Sequence, residues 1–344
     1  MKKILIFLLK IAIAVFIIAC LVHTHYNSIT ASLKTFKLGW LLPALLLLYA
    51  EMAFCTIRWF KLLKSSNIQL SFRETMSLTM RGYFCSLVLP GGAIGGDVAK
   101  IGMIAHGMKT GERFEPGLSI LIDRIVGMIA LFVIAIILIA ADVKTLLKVN
   151  LSDIGIPASF NKYLIAIIIL LCFAGIAAAM VLFFCKFFEK IPLFKFVLEK
   201  ADKITHGLVS RMKNAITLYN EHWRLLILMT IGSVFLVHLI QMPVLACLCM
   251  GLGIKITSWL TLSTAIIIGN IAGLIPLTPG GIGLRDVTIL AILSAGNFAD
   301  PSSIPLLMSM TLIIANLSAG LFFFDKGLQK KLINRDCAEI QESI

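Results

Sequence analysis

Apolar residues run along this chain in long unbroken stretches, with little of the alternation that marks a half-buried surface element. Six stretches, at 4–22, 39–57, 117–140, 163–184, 225–249 and 303–324, are long enough to cross the about 30 Å of a bilayer's hydrocarbon as helices. Two further apolar regions, 74–108 and 257–298, are interrupted near their middles by proline and glycine. Each reads as two shorter helical pieces around a turn. The pattern predicts an all-α polytopic membrane protein.

Composition removes the competing classes. The 344 residues are 59% apolar and 14% charged, against about 45–50% and about 25% in soluble domains. With a mean hydropathy of +0.97, the chain is neither a soluble enzyme, a nucleic-acid module nor a disordered segment. The net charge of +13 marks cytoplasmic loops in a membrane protein, so no nucleic-acid partner is expected. The cysteines and histidines show no metal-ligand spacing, and no metal or cofactor is expected. The six histidines are scattered and read as loop residues.

Sidedness follows from the basic residues. Lys2-Lys3 and Ile18-Ala19-Cys20 resemble a processed leader, but the stretch is read here as a retained first helix. With a cytoplasmic N-terminus, six crossings and both broken regions returning to the side they left, most Lys and Arg fall in the cytoplasm, Lys100 among them. A full crossing of either broken region weakens that asymmetry, so both are predicted to be re-entrant. Both termini then lie on the cytoplasmic side of the inner membrane. The loop 185–224, basic and periodically apolar, reads as amphipathic helices lying on anionic lipid.

The two breaks resemble each other. Pro90-Gly91-Gly92-Ala93-Ile94-Gly95-Gly96-Asp97-Val98 aligns without gaps to Pro279-Gly280-Gly281-Ile282-Gly283-Leu284-Arg285-Asp286-Val287. At the same offset 39–57 maps onto 225–249 and 117–140 onto 303–324. This predicts a first repeat over 1–145 with hairpin 74–108 and a second over 163–324 with hairpin 257–298. The linking region 146–224 includes span 163–184 and the basic loop, and 325–344 forms a tail. The charge argument sets the repeats in opposite orientations, the inverted architecture of alternating-access transporters, whose sites lie at broken helices near the midplane.

Charges inside the membrane cost about 2.5–3.5 kcal/mol each on insertion scales, which singles out Glu51, Arg58, Arg81, Asp97, Asp123, Arg124, Arg285 and Asp286. Adjacent residues on a helix do not face each other, so partners are expected on other segments, for example Arg285 with Asp97 or Arg124 with Asp286. Guanidinium forks match phosphate, and glycine turns at helix N-termini offer free N–H groups. Arg58, Arg81, Arg124, Arg285, Asp97 and the glycines Gly91, Gly92, Gly280 and Gly281 are therefore the candidate contacts to a phosphate head group. Glu51, Asp97, Asp123 and Asp286 are the candidates for gating or proton coupling. Structural ion pairs pinning the hairpins, and interfacial anchoring by Arg58-Trp59, are the competing readings.

These residues carry a family likeness. Arg58-Trp59, Leu89-Pro90-Gly91-Gly92 with Gly96-Asp97, Asp123-Arg124 with Gly127, and Pro276-Leu277-Thr278-Pro279-Gly280-Gly281-Ile282-Gly283-Leu284-Arg285-Asp286 resemble the lysylphosphatidylglycerol synthase transmembrane, flippase-like family. The resemblance spans nearly the whole chain and implies handling of aminoacylated phospholipids, polyprenyl-phosphate sugars or hopanoids. The aminoacyl-transferring soluble domain of full synthases is absent from these residues, so the resemblance does not imply synthase activity. Where the family usually carries Glu, this chain has Asp123 and Asp286. The expectation is a non-enzymatic flippase or transporter of an anionic phospholipid or polyprenyl-phosphate lipid. Two alternatives stay open at this point: a membrane-embedded glycosyl or acyl transferase using a polyprenyl-phosphate donor, and a scaffold of an envelope-synthesis complex.

Overall fold

The computed structural model describes residues 34–66, 68–89, 92–105, 114–150, 157–184, 200, 202, 216, 219, 221–275 and 283–325. All regular structure among them is helical. Helix α1 (Leu41–Ser65) is preceded by a 3-10 turn; α2 (Phe72–Val88) and α3 (Ala93–Ala105) form the first pair, and α4 (Phe114–Ala141) follows. Next come α5 (Asn161–Phe183) and a long span made of α6 (Trp223–Ser233), a π-helical segment (Val234–Leu239) and α7 (Gln241–Gly251). The second pair, α8 (Trp259–Gly273) and α9 (Leu284–Ala295), precedes α10 (Ser303–Ala319), which ends in a 3-10 turn.

Five segments, Leu38–Ser65, Glu115–Ala141, Asn161–Phe183, Trp223–Gly251 and Ser303–Phe324, are long and apolar enough to cross a membrane. They coincide with five of the six predicted stretches; 4–22 lies outside the described residues. So do most of the 185–224 loop and nearly all of the tail. Lipid-type solvation explains what burial does not. In α5, Ile167, Leu170, Leu171 and Phe173 are all exposed, which water would penalise and hydrocarbon does not.

Both broken regions are two helices packed on each other, α2 on α3 and α8 on α9. Local chemistry sets their limits. Ser71 opens α2 with a capping box: its N–H donates to Glu74 at 2.7 Å while its hydroxyl accepts the Glu74 N–H at 3.3 Å. Ser258 caps α8 by accepting the Thr261 N–H at 3.1 Å. Ahead of α3, Gly92 sits at φ 59°, and ahead of α9, Gly283 at φ 94°. Only glycine adopts such turns at low cost. A Cβ on Gly96 would collide with the Gly82 carbonyl, so α2 and α3 touch backbone to backbone through small residues.

The halves interlock. Helix α1 packs on α7, α2 on α10, and α8 on α4. Contacts along α1 run backwards along the later span: the Lys37 N–H donates to Gly251 O at 2.9 Å, Glu51 meets Gln241, and Arg58 meets Ser233. These two spans are therefore antiparallel. Helix α2 and the end of the last span, Ser303–Phe324, run in opposite directions as well, since Arg73 reaches Asp325 while Phe84 lies against Gly320.

Candidate functional site

Glu51 stands at the middle of its span, with about 20 Å of helix on either side at 1.5 Å per residue. Beside it opens a cavity of about 240 Å³ lined by polar residues from α1, α2, α3, α4 and the π segment, with Leu274 closing it from the end of α8. Five acidic and basic side chains share its wall, Glu51, Arg58, Lys100, Asp123 and Arg124.

Two ion pairs organise the cavity, and they differ in kind. Arg58, 5% exposed, donates from Nε and Nη2 to the two oxygens of Asp123 at 2.7 and 3.0 Å, and from Nη1 to the Ser233 hydroxyl at 2.8 Å. Its fork is fully engaged and ties α1, α4 and α6 together. Gly127 leaves room for it, since a Cβ there would sit 3.2 Å from Nη1. Arg124, with a side chain 45% exposed, donates from Nε and Nη2 to Asp97 at 2.6 and 2.8 Å. Lys100 Nζ approaches the same carboxylate at 3.4 Å and lies 4.6 Å from the centre of the Trp59 ring. Arg124 shares its face of α4 with exposed Leu121 and Met128, and Ile94 and Val98 are exposed beside Asp97 on α3.

The predicted partners are exchanged. Asp97 pairs with Arg124 and not with Arg285. Asp286 is bound within its own half and not by Arg124. On α9, the Gly283 N–H and the Ser309 hydroxyl donate to Asp286 at 2.9 and 2.6 Å, and Arg285 Nη2 donates to the same hydroxyl at 2.7 Å. Arg285 Nε lies 3.7 Å from Asp286 and is buried without a hydrogen-bond acceptor among the described residues. These neighbours, expected to turn away from each other, thus meet as an ion pair and share Ser309 as a bridge. Arg81 is elsewhere: its Nε donates to the Phe322 carbonyl at 3.0 Å and its guanidinium covers the Phe323 ring, fastening α2 to the end of the last span. Of the four candidate arginines, only Arg58 and Arg124 line the cavity. Of the hairpin glycines, Gly92 is buried in its turn, while Gly91, Gly280 and Gly281 lie outside the described residues.

Several cavity residues escaped the sequence reading. Lys100, placed there with the cytoplasmic loops, is buried. His238, read as a loop residue, is buried in the π segment with Nε2 donating to the Gly127 carbonyl at 3.0 Å. The extra residue of a π turn rotates the side chains around it, a device frequent at functional sites. Gln241 bridges the halves, since its amide N–H donates to both Glu51 oxygens at 3.0 Å while its oxygen accepts from Asn270 at 2.9 Å. The signal for these was their position: His238, Gln241 and Asn270 are polar residues inside long apolar runs.

Multiple apolar spans enclosing buried charge define a multi-pass helical membrane protein. The sequence profile of the lysylphosphatidylglycerol synthase TM region matches residues 7–314, and the chain belongs to that family. It is also similar to a UPF0104 membrane protein of Pyrococcus horikoshii, at 26% identity over 179 residues, covering 50% of this chain and 52% of the relative. The chain thus spans about half the length of the curated relative it matches.

Proposed function

We propose that the protein is a non-enzymatic lipid flippase of the cytoplasmic membrane. It moves an anionic phospholipid or a polyprenyl-phosphate-linked lipid, with both termini in the cytoplasm. The observation that carries this reading is Arg124: a buried-site arginine, half exposed, on a helix face otherwise apolar. A phosphate is recognised there by the same bidentate geometry that Asp97 now occupies. The head group takes the place of the Asp97 carboxylate on Arg124, and α3, which keeps Asp97 beside Lys100 in the cavity, shifts against α4 as the gate. At about 240 Å³ the cavity falls below the about 300–1,000 Å³ of sites that enclose whole ligands. It holds a head group while the acyl chains stay in lipid against Leu121, Met128, Ile94 and Val98.

The architecture supports alternating access. The order span, helix pair, span occurs in both halves, and the antiparallel packing of α1 on α6–α7 sets equivalent spans in opposite directions, as an inverted repeat requires. Exchanging the halves turns the α2–α10 contact into α8–α4, and both exist. The paired helices, 12 to 17 residues long, measure only about 18–26 Å, lengths that suit segments entering the membrane and returning. Arg58 and Asp123 hold the frame; Arg285, Asp286 and Ser309 lock the second pair.

Native mass spectrometry of the protein in mild detergent tests the substrate class. An anionic phospho- or polyprenyl-phosphate lipid retained by the wild type and lost in Arg124→Ala is expected. Unselective bulk lipid, unchanged by the substitution, refutes the reading.

A further inference from the structure

With Glu51 ionised, the charges in and beside the cavity cancel: Arg58, Lys100, Arg124 and Arg285 stand against Glu51, Asp97, Asp123 and Asp286. Three of the carboxylates are held by donors that suit the ionised form. Asp123 is gripped by Arg58, Asp97 by Arg124 and Lys100, and Asp286 by Gly283 N–H, Ser309 and the neighbouring Arg285. Glu51 differs. Its oxygens accept only the Gln241 side-chain N–H, and no cation stands within ion-pair distance of it among the described residues. An amide serves a protonated carboxyl as well as an ionised one, since it has an oxygen to accept and an N–H to donate.

A singly charged phosphodiester entering this balanced site adds one uncompensated negative charge, which a low-dielectric interior resists. We infer that the loaded cavity holds Glu51 protonated, so that one proton accompanies each singly charged head group across the membrane. This rests on the anionic-lipid reading above and adds a coupling ion to it. Around Glu51 stand Cys55 and Arg58 on α1, Tyr83 on α2, Lys100 on α3, Asp123 and Arg124 on α4, His238 on the π segment and Arg285 on α9; α10 carries no ionisable residue. His238 is the rival proton acceptor. Its Nε2 hydrogen is committed to the Gly127 carbonyl, since a carbonyl only accepts, and Nδ1 keeps its lone pair.

The test is calorimetric binding of short-chain phosphatidylglycerol to the full chain in detergent micelles, in paired buffers of different ionisation enthalpy, from about pH 5 to 9. Uptake of a proton on binding makes affinity fall as pH rises, by about tenfold per pH unit where free Glu51 is ionised. The buffer pairs read the same event as up to one proton taken up per lipid. In Glu51→Gln the slope and the proton uptake vanish, and in His238→Gln both persist. Wild-type binding with a flat profile and no proton uptake overturns this inference while leaving the anionic-lipid reading intact. A slope that survives Glu51→Gln, or disappears in His238→Gln, overturns it too. Absence of binding at every pH defeats the anionic-lipid reading and this inference with it. The wild-type proton count stands alone if Glu51→Gln does not fold.

Discussion

Replacing Asp123 by Ala strips the carboxylate from a guanidinium that is 5% exposed and set inside the bundle. Both bonds from Arg58, at 2.7 and 3.0 Å, are lost, and only Ser233 remains as its partner. Leaving one member of a buried pair uncompensated costs about 3–5 kcal/mol, roughly a 10²- to 10⁴-fold loss in the folded-to-unfolded ratio. Removing both charges is different: Arg58→Met with Asp123→Leu is expected within about 1–2 kcal/mol of wild type, because desolvation is then no longer owed. The Asp97–Arg124 pair has the same fork geometry, but its arginine is 45% exposed. Asp97→Ala is therefore expected to cost less than Asp123→Ala, because Arg124 can turn out of the cavity toward lipid phosphates. Equilibrium unfolding in detergent, run as a double-mutant cycle on each pair, measures all of these. An Asp97→Ala penalty equal to that of Asp123→Ala would refute the division into a structural pair and a working pair.

Further outcomes follow from the same contacts. Ser309→Ala removes the shared bridge between Arg285 and Asp286 and is expected to cost about 1–3 kcal/mol, as buried groups left unsatisfied do; Ser309→Thr, which keeps the hydroxyl, is expected to recover most of it in the same unfolding assay. Gly96→Val forces α3 away from the Gly82 carbonyl, at a cost of about 1–3 kcal/mol, and lipid retention on purification is expected to fall with it. Lys100→Met keeps the stem against Gly82 but removes the charge over Trp59; anionic-lipid affinity is expected to drop at least tenfold, with a stability change within about 1 kcal/mol, measured by calorimetry and unfolding.

The spans were legible because lipid imposes length and apolarity directly on the residue string, and the breaks because Pro90 and Pro279 cannot continue a helix. Family membership was legible from Arg58, Asp123-Arg124 and the stretch around Arg285. Pairing was not. Arg285 and Asp286, not expected to face each other, lie 3.7 Å apart with Ser309 on α10 bridging them, and interhelical register of that kind is absent from a single sequence. Likewise Asp97 found Arg124 because α3 packs on α4. His238 was misplaced because histidines were weighed by their mutual spacing. Its setting inside 225–249 was the better guide, since a polar side chain within a span needs a partner there.

Flipping itself is the most direct test. Proteoliposomes carrying a fluorescent phosphatidylglycerol, quenched from outside with dithionite, report how much probe reaches the outer leaflet. Wild-type protein is expected to let the quenchable fraction rise well beyond the outer-leaflet half, while Arg124→Ala, folded and reconstituted to the same level, leaves it at the value of protein-free vesicles. Equal quenching with wild type and Arg124→Ala, or wild type indistinguishable from empty vesicles, would contradict this expectation.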